Sequence, residues 1–336
     1  MQLDQTHVAI RVRTLSEIGD LALVLLHRYP TLLLIGFFWG ALPWAIANGL
    51  LLYWIPITES QYGLDDPEAR WQTTRYITWM ALLVFLQTPA AGVITTIYLG
   101  QAVFESSPSW KTAVADARKQ LGRWIRFLGL RRLAIPAMVI AGIRLFQPWD
   151  ALFDVTIPIV FFMAAIVIRA SRPFLPEMIL LERCPTRSKN PNEITLSKRA
   201  RTLHRPSGSD VGGRWIVSGF TLSVIFAGLF YSLVWLRGIA TGYWNIGLVT
   251  LMVLYPLALW TVGGLSVVVR MIAYLDTRIR LEGWDVELAV RAEAMRQFGD
   301  EIEPVVGQQS VVSSSGSQDN ARSNSKTSVA PAGGAT

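Results

Sequence analysis

The chain has 336 residues, of which 51% are hydrophobic and only 16% charged, with 13 Trp and a formal net charge of +7. Its mean hydropathy is +0.36, and soluble domains carry about 25% charged residues. A disordered or nucleic-acid-binding chain is thereby excluded as the main reading, and a water-soluble enzyme is disfavoured. The expected fold class is all-α: a polytopic helical membrane protein with about six transmembrane helices, arranged as three hairpins with cytoplasmic interfacial amphipathic helices.

The N-terminal segment, residues 1–29, contains Thr14-Leu15-Ser16-Glu17, a capping-box pattern that opens a helix with Leu15, Ile18, Ala22 and Leu25 on one face. No cleaved signal peptide is expected. The first apolar run exceeds an h-region of roughly 7–15 residues, and Asp4, Glu17 and Asp20 precede it.

Stretches without Asp, Glu, Lys or Arg then give the spans, since crossing the bilayer takes roughly 20 helical residues. Tyr29 to Thr58, Tyr76 to Phe104, Trp215 to Leu236 and Gly238 to Val269 qualify. They predict helices at 31–55, 77–104, 215–236 and 246–270. Leu133 to Ile143 and Val155 to Ile168 are short, but Arg131, Arg132 and Arg169 can snorkel and lengthen them. These predict a weaker pair at 133–148 and 152–169, with a re-entrant hairpin as the alternative. The six-helix membrane domain covers 30–300, with basic cytoplasmic segments at 105–132 and 170–214. The tail, 301–336, has no aromatic residue and is expected to be disordered in the cytoplasm.

Within the spans, Gly36 and Gly40 form a GxxxG motif followed by Ala41 and Ala45, which reads as internal helix packing. Pro43, Pro89, Pro136, Pro158 and Pro256 place a proline in five of the spans. Kinking is the simpler reading. The other is a broken-helix transport site to which Asn48, Gln87, Thr88 and Gln101 would add polar groups.

A second amphipathic helix starts at Ser107-Pro108 and carries Trp110, Val114, Ala117, Leu121, Ile125 and Leu128 at helical spacing, with Lys111, Arg118, Lys119, Arg123 and Arg126 between them. A shift of 95 positions matches Leu15 with Trp110, Ala22 with Ala117 and Arg28-Tyr29 with Arg123-Trp124. Arg214-Trp215 stands at the same place before the last hairpin, so a repeated unit of interfacial helix, cation-aromatic pair and two-span hairpin is inferred.

Orientation follows from the cations. All of the 31 Lys and Arg except Arg70, Arg75, Arg144 and Arg237 fall on one side of the predicted spans, while Glu59, Asp65, Asp66 and Glu68 make the first loop acidic. The positive-inside rule places both termini in the cytoplasm. Trp and Tyr collect at the predicted span ends, as interfacial belts do. Cys184 is the single cysteine and is expected to be a free thiol.

Chemistry has little to stand on. His7, His27 and His204 lie outside the spans, no metal-ligand spacing or phosphate loop is present, and neither metal nor cofactor is expected. Arg144 reads as a residue snorkelling near Trp149. Two cytoplasmic strings stand out: Arg172 to Arg183, which includes Glu177, and Tyr274 to Leu288, which includes Asp276, Arg278, Arg280, Glu282 and Trp284. Asp276 and Arg280 are four apart and can pair on a helix that Gly283 can end. Both strings are read as charged collars at helix ends, with a binding interface as the other reading.

The string Tyr274-x-Asp276-x-Arg278-x-Arg280-x-Glu282-Gly283-Trp284-Asp285 resembles the end of a bacterial family of multi-pass membrane proteins, similar to the membrane domain attached to some glycerophosphodiester phosphodiesterases. The basic helix from Ser107 to Arg132 resembles that family's as well. The resemblance implies a fold type and a cytoplasmic-membrane location, not an activity, because the catalytic domain is absent. The leading expectation is a non-enzymatic scaffold, anchor or accessory subunit whose basic face meets an anionic inner leaflet and protein partners. The alternative is a small-solute transporter or channel. A lipid-modifying enzyme, with Glu177, Asp276 and His204 as its candidate groups, comes third.

Overall fold

The computed structural model describes residues 13–55, 57, 67–104, 108–145, 151–185, 194–205, 208–244 and 246–283. Trp284 and the expected tail at 301–336 lie outside the described residues. Among those described, every regular element is helical. Three helices are long and apolar enough to cross a bilayer: Leu34–Leu52, Gly208–Thr241 and Thr250–Leu281. A fourth crossing arises if Arg70–Ala91 and Val93–Val103, bent by 43°, count as one span. These are the features of a membrane-embedded helical protein.

Local chemistry sets the helix ends. Helix α1 (Leu15–Arg28) begins with the expected capping box, in which Thr14 N donates to Glu17 Oε2 at 2.7 Å. It buries Ile18, Ala22 and Leu25. Pro30 cannot continue α1 and opens α2 (Pro30–Leu52) at its first turn, where a missing N–H costs nothing. Helices α3 (Pro67–Ala91) and α4 (Val93–Phe104) meet at Gly92. Across that bend Gly92 N still donates to Thr88 O at 2.9 Å, and Thr96 N to Gly92 O at 2.8 Å.

The second basic segment differs from its expected layout. Helix α5 (Trp110–Lys119) breaks at Gln120, then α6 (Leu121–Trp124), a π-helical turn (Ile125–Leu130) and α7 (Arg131–Leu145) run on without interruption. In the first segment the break follows Arg28-Tyr29 because Pro30 imposes it; at the matching place after Arg123-Trp124 stands Ile125, which does not. The repeated letters therefore do not give a repeated geometry. The break also resets the buried face: α5 buries Ala113 and Ala117, while Leu121 is exposed.

Helix α8 (Ala151–Ser171) precedes α9 (Leu175–Leu180), α10 (Leu196–His204), α11 (Gly208–Thr241) and α12 (Tyr255–Glu282). A second π-helical turn, Thr250–Leu254, leads into α12, and Gly283 closes it in the left-handed region at φ 65°.

The six expected spans are not all reproduced. The 77–104 span is the bent α3–α4 pair. The 133–148 span corresponds to α7, whose charge-free stretch between Arg132 and Arg144 covers about 16 Å against a hydrocarbon core of about 30 Å. Nor do α7 and α8 close as a hairpin in their main contacts: α7 packs on α2 and α3, and α8 on α3 and α11.

The core has two tiers. One gathers Ile18, Ala113, Leu128, Met178, Leu203 and Tyr274 at the end that carries α1, α5, α9 and α10. The other gathers Phe37, Trp79, Leu83, Ile143, Tyr255 and Trp260. The bend at Pro89–Gly92 lies where they meet, with Ala91 in one tier and Val93 in the other.

Gly36 and Gly40 both mark close approaches. A Cβ at Gly36 would fall 2.7 Å from the Trp110 ring, and one at Gly40 would fall on the Ala91 carbonyl. Gly228 on α11 has open space around it. Gly40→Ala is therefore expected to lower stability by about 1–3 kcal/mol through overpacking, and Gly228→Ala to lower it not at all. Thermal unfolding of the two variants in one detergent checks this.

Candidate functional site

The charged groups concentrate at the end of the bundle formed by α1, α9, α10 and the C-terminal part of α12. Asp276 has no exposed surface and is fully engaged. It accepts from Arg13 N at 2.7 Å, Arg214 Nη1 at 2.9 Å and Arg280 Nε at 2.8 Å. Arg280 also donates to Arg13 O at 2.6 Å. The pair expected within one helix turn thus forms, and the same carboxylate clips Arg13, which precedes the Thr14 cap of α1, and the start of α11 onto α12.

Glu177 is the second fully buried carboxylate. Pro173 cannot extend α8, and Pro176 lies in the first turn of α9, so this six-residue helix begins afresh and turns inward. Pro176, Glu177, Met178, Ile179 and Leu180 are all buried. Gln120 and Arg123 donate to the carbonyls of Leu180, its last residue, and of Arg183 beyond its end, at 3.3 and 3.1 Å.

Arg270 of α12 is only 6% exposed and donates through Nε to Glu177 Oε1 at 2.6 Å. Its Nη1 and Nη2 are buried and have no hydrogen-bond partner, and the same is true of Glu177 Oε2. Arg132 and Arg169 lie within electrostatic reach of this pair.

The position of Arg169 follows from a proline. Within α3 the Phe85 carbonyl would ordinarily accept from the N–H of residue 89, but Pro89 has none. Arg169 Nη1 donates to that carbonyl at 2.7 Å, and its guanidinium lies 4.5 Å from the centre of the Phe85 ring.

Glu182 anchors the third cluster. Arg199 reaches it with both Nε and Nη2, at 2.6 and 2.8 Å, Tyr274 donates at 2.6 Å, and Arg278 lies 3.7 Å away. Burial pushes the Glu182 carboxyl up, but these hydrogen bonds and charges outweigh it and hold it below the usual carboxylate range. Burial raises the Cys184 thiol, which is free. His204 places Nδ1 2.7 Å from Ala200 O and stacks on Phe174, and burial lowers its pKa.

The residues singled out in the sequence divide accordingly. Glu177 and Asp276 are buried carboxylates, Arg278 and Arg280 bind the carboxylate network from its rim, Arg172 is exposed outside it, and Glu282 ends α12. Trp284 lies outside the described residues. Arg144 donates to Tyr53 Oη at 2.9 Å.

The polar groups proposed for a transport site do not converge. Gln87 donates to Asn48 at 2.7 Å, Gln101 accepts from Thr112, and Thr88 donates to its own helix at Val84 O. Nor do Glu177, Asp276 and His204 share a pocket, since each is held in a different cluster. Arg132, Arg169, Arg214 and Arg270 were read only as interfacial cations. The available signal was a proline four residues beyond an aromatic carbonyl, with an arginine on another span to use it.

A cavity of about 580 Å³ lies between α3, α8, α11 and α12, with Arg169, Arg214 and Arg270 in its lining and no Asp or Glu among the described residues that line it.

Two outcomes test the network. Glu177→Gln should cost about 3–5 kcal/mol by leaving Arg270 uncompensated, and the double variant Glu177→Gln/Arg270→Gln should cost less than that; chemical unfolding in detergent measures both. Folded His204 holds its proton less tightly than the unfolded chain does. Stability should therefore fall as pH drops below the ordinary value of about 6.5. His204→Phe should flatten that limb of the melting profile, leaving the carboxylate limb from Glu182 at lower pH. Comparison with protein-family models, with curated proteins and with solved structures finds no match to this chain.

Proposed function

We propose that the chain is a multi-pass protein of a bacterial cytoplasmic membrane, with both termini in the cytoplasm, that acts as a non-enzymatic scaffold, anchor or accessory subunit. The observation that carries this reading is the division of the cations at one end of the bundle. Arg214, Arg270 and Arg280 bind buried carboxylates and fix the helix ends. Lys111, Arg118, Arg126, Arg131, Arg201 and Arg205 stay exposed on the helices around them. A rigid frame that presents cations suits an anionic inner leaflet and acidic partner surfaces. The resemblance of Tyr274 to Asp285 to a membrane domain associated with glycerophosphodiester phosphodiesterases supports the same location.

A small-solute transporter is the second reading, favoured by the bend at Pro89–Gly92 and the cavity beside it. It ranks lower because Asn48 and Gln87 hydrogen-bond to each other away from that cavity.

Reporter fusions after Asp66 should read outside, and fusions after Gln120, Asn190 and Gln297 inside; a periplasmic signal at Asn190 would overturn the orientation. Crosslinking in native membranes should recover a protein partner, and replacing Lys111, Arg118 and Arg126 with Gln should reduce that yield several-fold. Recovery of lipid alone would overturn the scaffold reading.

A further inference from the structure

The cavity between α3, α8, α11 and α12 has a polarity that a solute path does not need. Its lining runs along α11 from Val211 to Phe226, about 22 Å at 1.5 Å per residue. The three arginines enter toward the end that carries the buried carboxylates, while Phe162, Phe226 and Tyr255 line the far part. Three hydroxyls between these ends are turned inward: Thr88, Ser223 and Ser266 donate to carbonyls of their own helices at 2.7, 2.9 and 2.6 Å. The wall is therefore apolar in effect, with cations at one end only.

Charge is unbalanced there. Arg132, Arg169 and Arg270 surround one carboxylate, Glu177. Arg270, 94% buried, lines the cavity with its neighbours Arg169 and Arg214, and its Nη1 and Nη2, enclosed by protein, have no hydrogen-bond partner. Three arginines without a carboxylate in the lining suit an anion with several acceptor oxygens. Small residues widen the space rather than close it: a Cβ at Gly219, in the lining, would meet nothing within 4 Å, in contrast to Gly40. The volume falls in the range of about 300–1,000 Å³ usual for small-molecule sites.

From these observations we infer that the cavity is a binding site for an anionic phospholipid of the inner leaflet. Its phosphate sits at the arginine end of the cavity, beside Arg169 and Arg270, and an acyl chain lies between α8 and α11. This rests on membrane placement but not on the scaffold reading. Retention of lipid by the purified chain is measured apart from both topology reporters and partner crosslinking.

The test is native mass spectrometry of the full-length protein in mild detergent, titrated with dioleoyl phosphatidylglycerol, dioleoyl phosphatidylcholine or inorganic phosphate. One phosphatidylglycerol per chain should be retained, about tenfold more tightly than phosphatidylcholine, and millimolar phosphate should not displace it. Gly219→Phe should weaken retention about tenfold or more with an unchanged melting temperature. Arg270→Lys, which keeps the charge facing Glu177 but loses the planar fork, should weaken it several-fold. Equal retention of the two lipids, or retention unaffected by Gly219→Phe, would overturn the inference. Displacement by phosphate alone would also overturn it, leaving an anion site without an acyl chain.

Discussion

Burying a carboxylate beside apolar helices is possible only where guanidinium or backbone donors surround it, and that requirement organises the bundle. Asp276 draws the backbone of Arg13, the start of α11 and the last turns of α12 to one point. Glu177 does the same for α9 and α12. Remove these two acids and α11 loses its ion pair with the long final helix, while α1 and α9 keep only the bonds through Arg280 and Glu182. The apolar tier around Met178 and Tyr274 fills in behind attachments that charge has already placed.

Prolines act here as makers of acceptors as well as breakers of helices. Pro89 leaves the Phe85 carbonyl open, and Arg169 of α8 uses it. A kink in one helix thus becomes a polar attachment for another, which explains how an arginine sits partly buried between spans without a carboxylate in direct contact. The same arginine brings its charge to the group around Glu177, so the bend, the α3–α8 contact and the cationic end of the cavity share one origin. Glycine has two uses in the bundle. Gly40 lets α2 and α3 touch backbone to backbone, whereas Gly219 faces open space.

Much of the local structure was legible because its causes lie within a few residues. The capping box at Thr14 and Glu17, the pairing of Asp276 with Arg280 and the left-handed Gly283 each depend on neighbours in sequence. The apolar runs at 31–55, 215–236 and 246–270 correspond to long apolar helices. The middle pair was legible only in outline, because apolar length alone does not reveal that α3 packs against both α7 and α8. The string from Arg172 to Arg183 reads in sequence as a charged collar at a helix end; its centre is a short buried helix, since two prolines turn the chain inward there.

The sequence by itself determined that the chain is helical and that its apolar runs are long enough for a membrane. Those properties follow from composition and spacing along the chain. Only the tertiary structure decided which cations are consumed by Glu177, Glu182 and Asp276 and which remain exposed. It alone also decided that Arg169, Arg214 and Arg270 gather at one end of an apolar cavity. The reason is physical: the partner of a buried charge can lie more than 200 residues away, as Arg13 does from Asp276, and no local pattern encodes such a pairing.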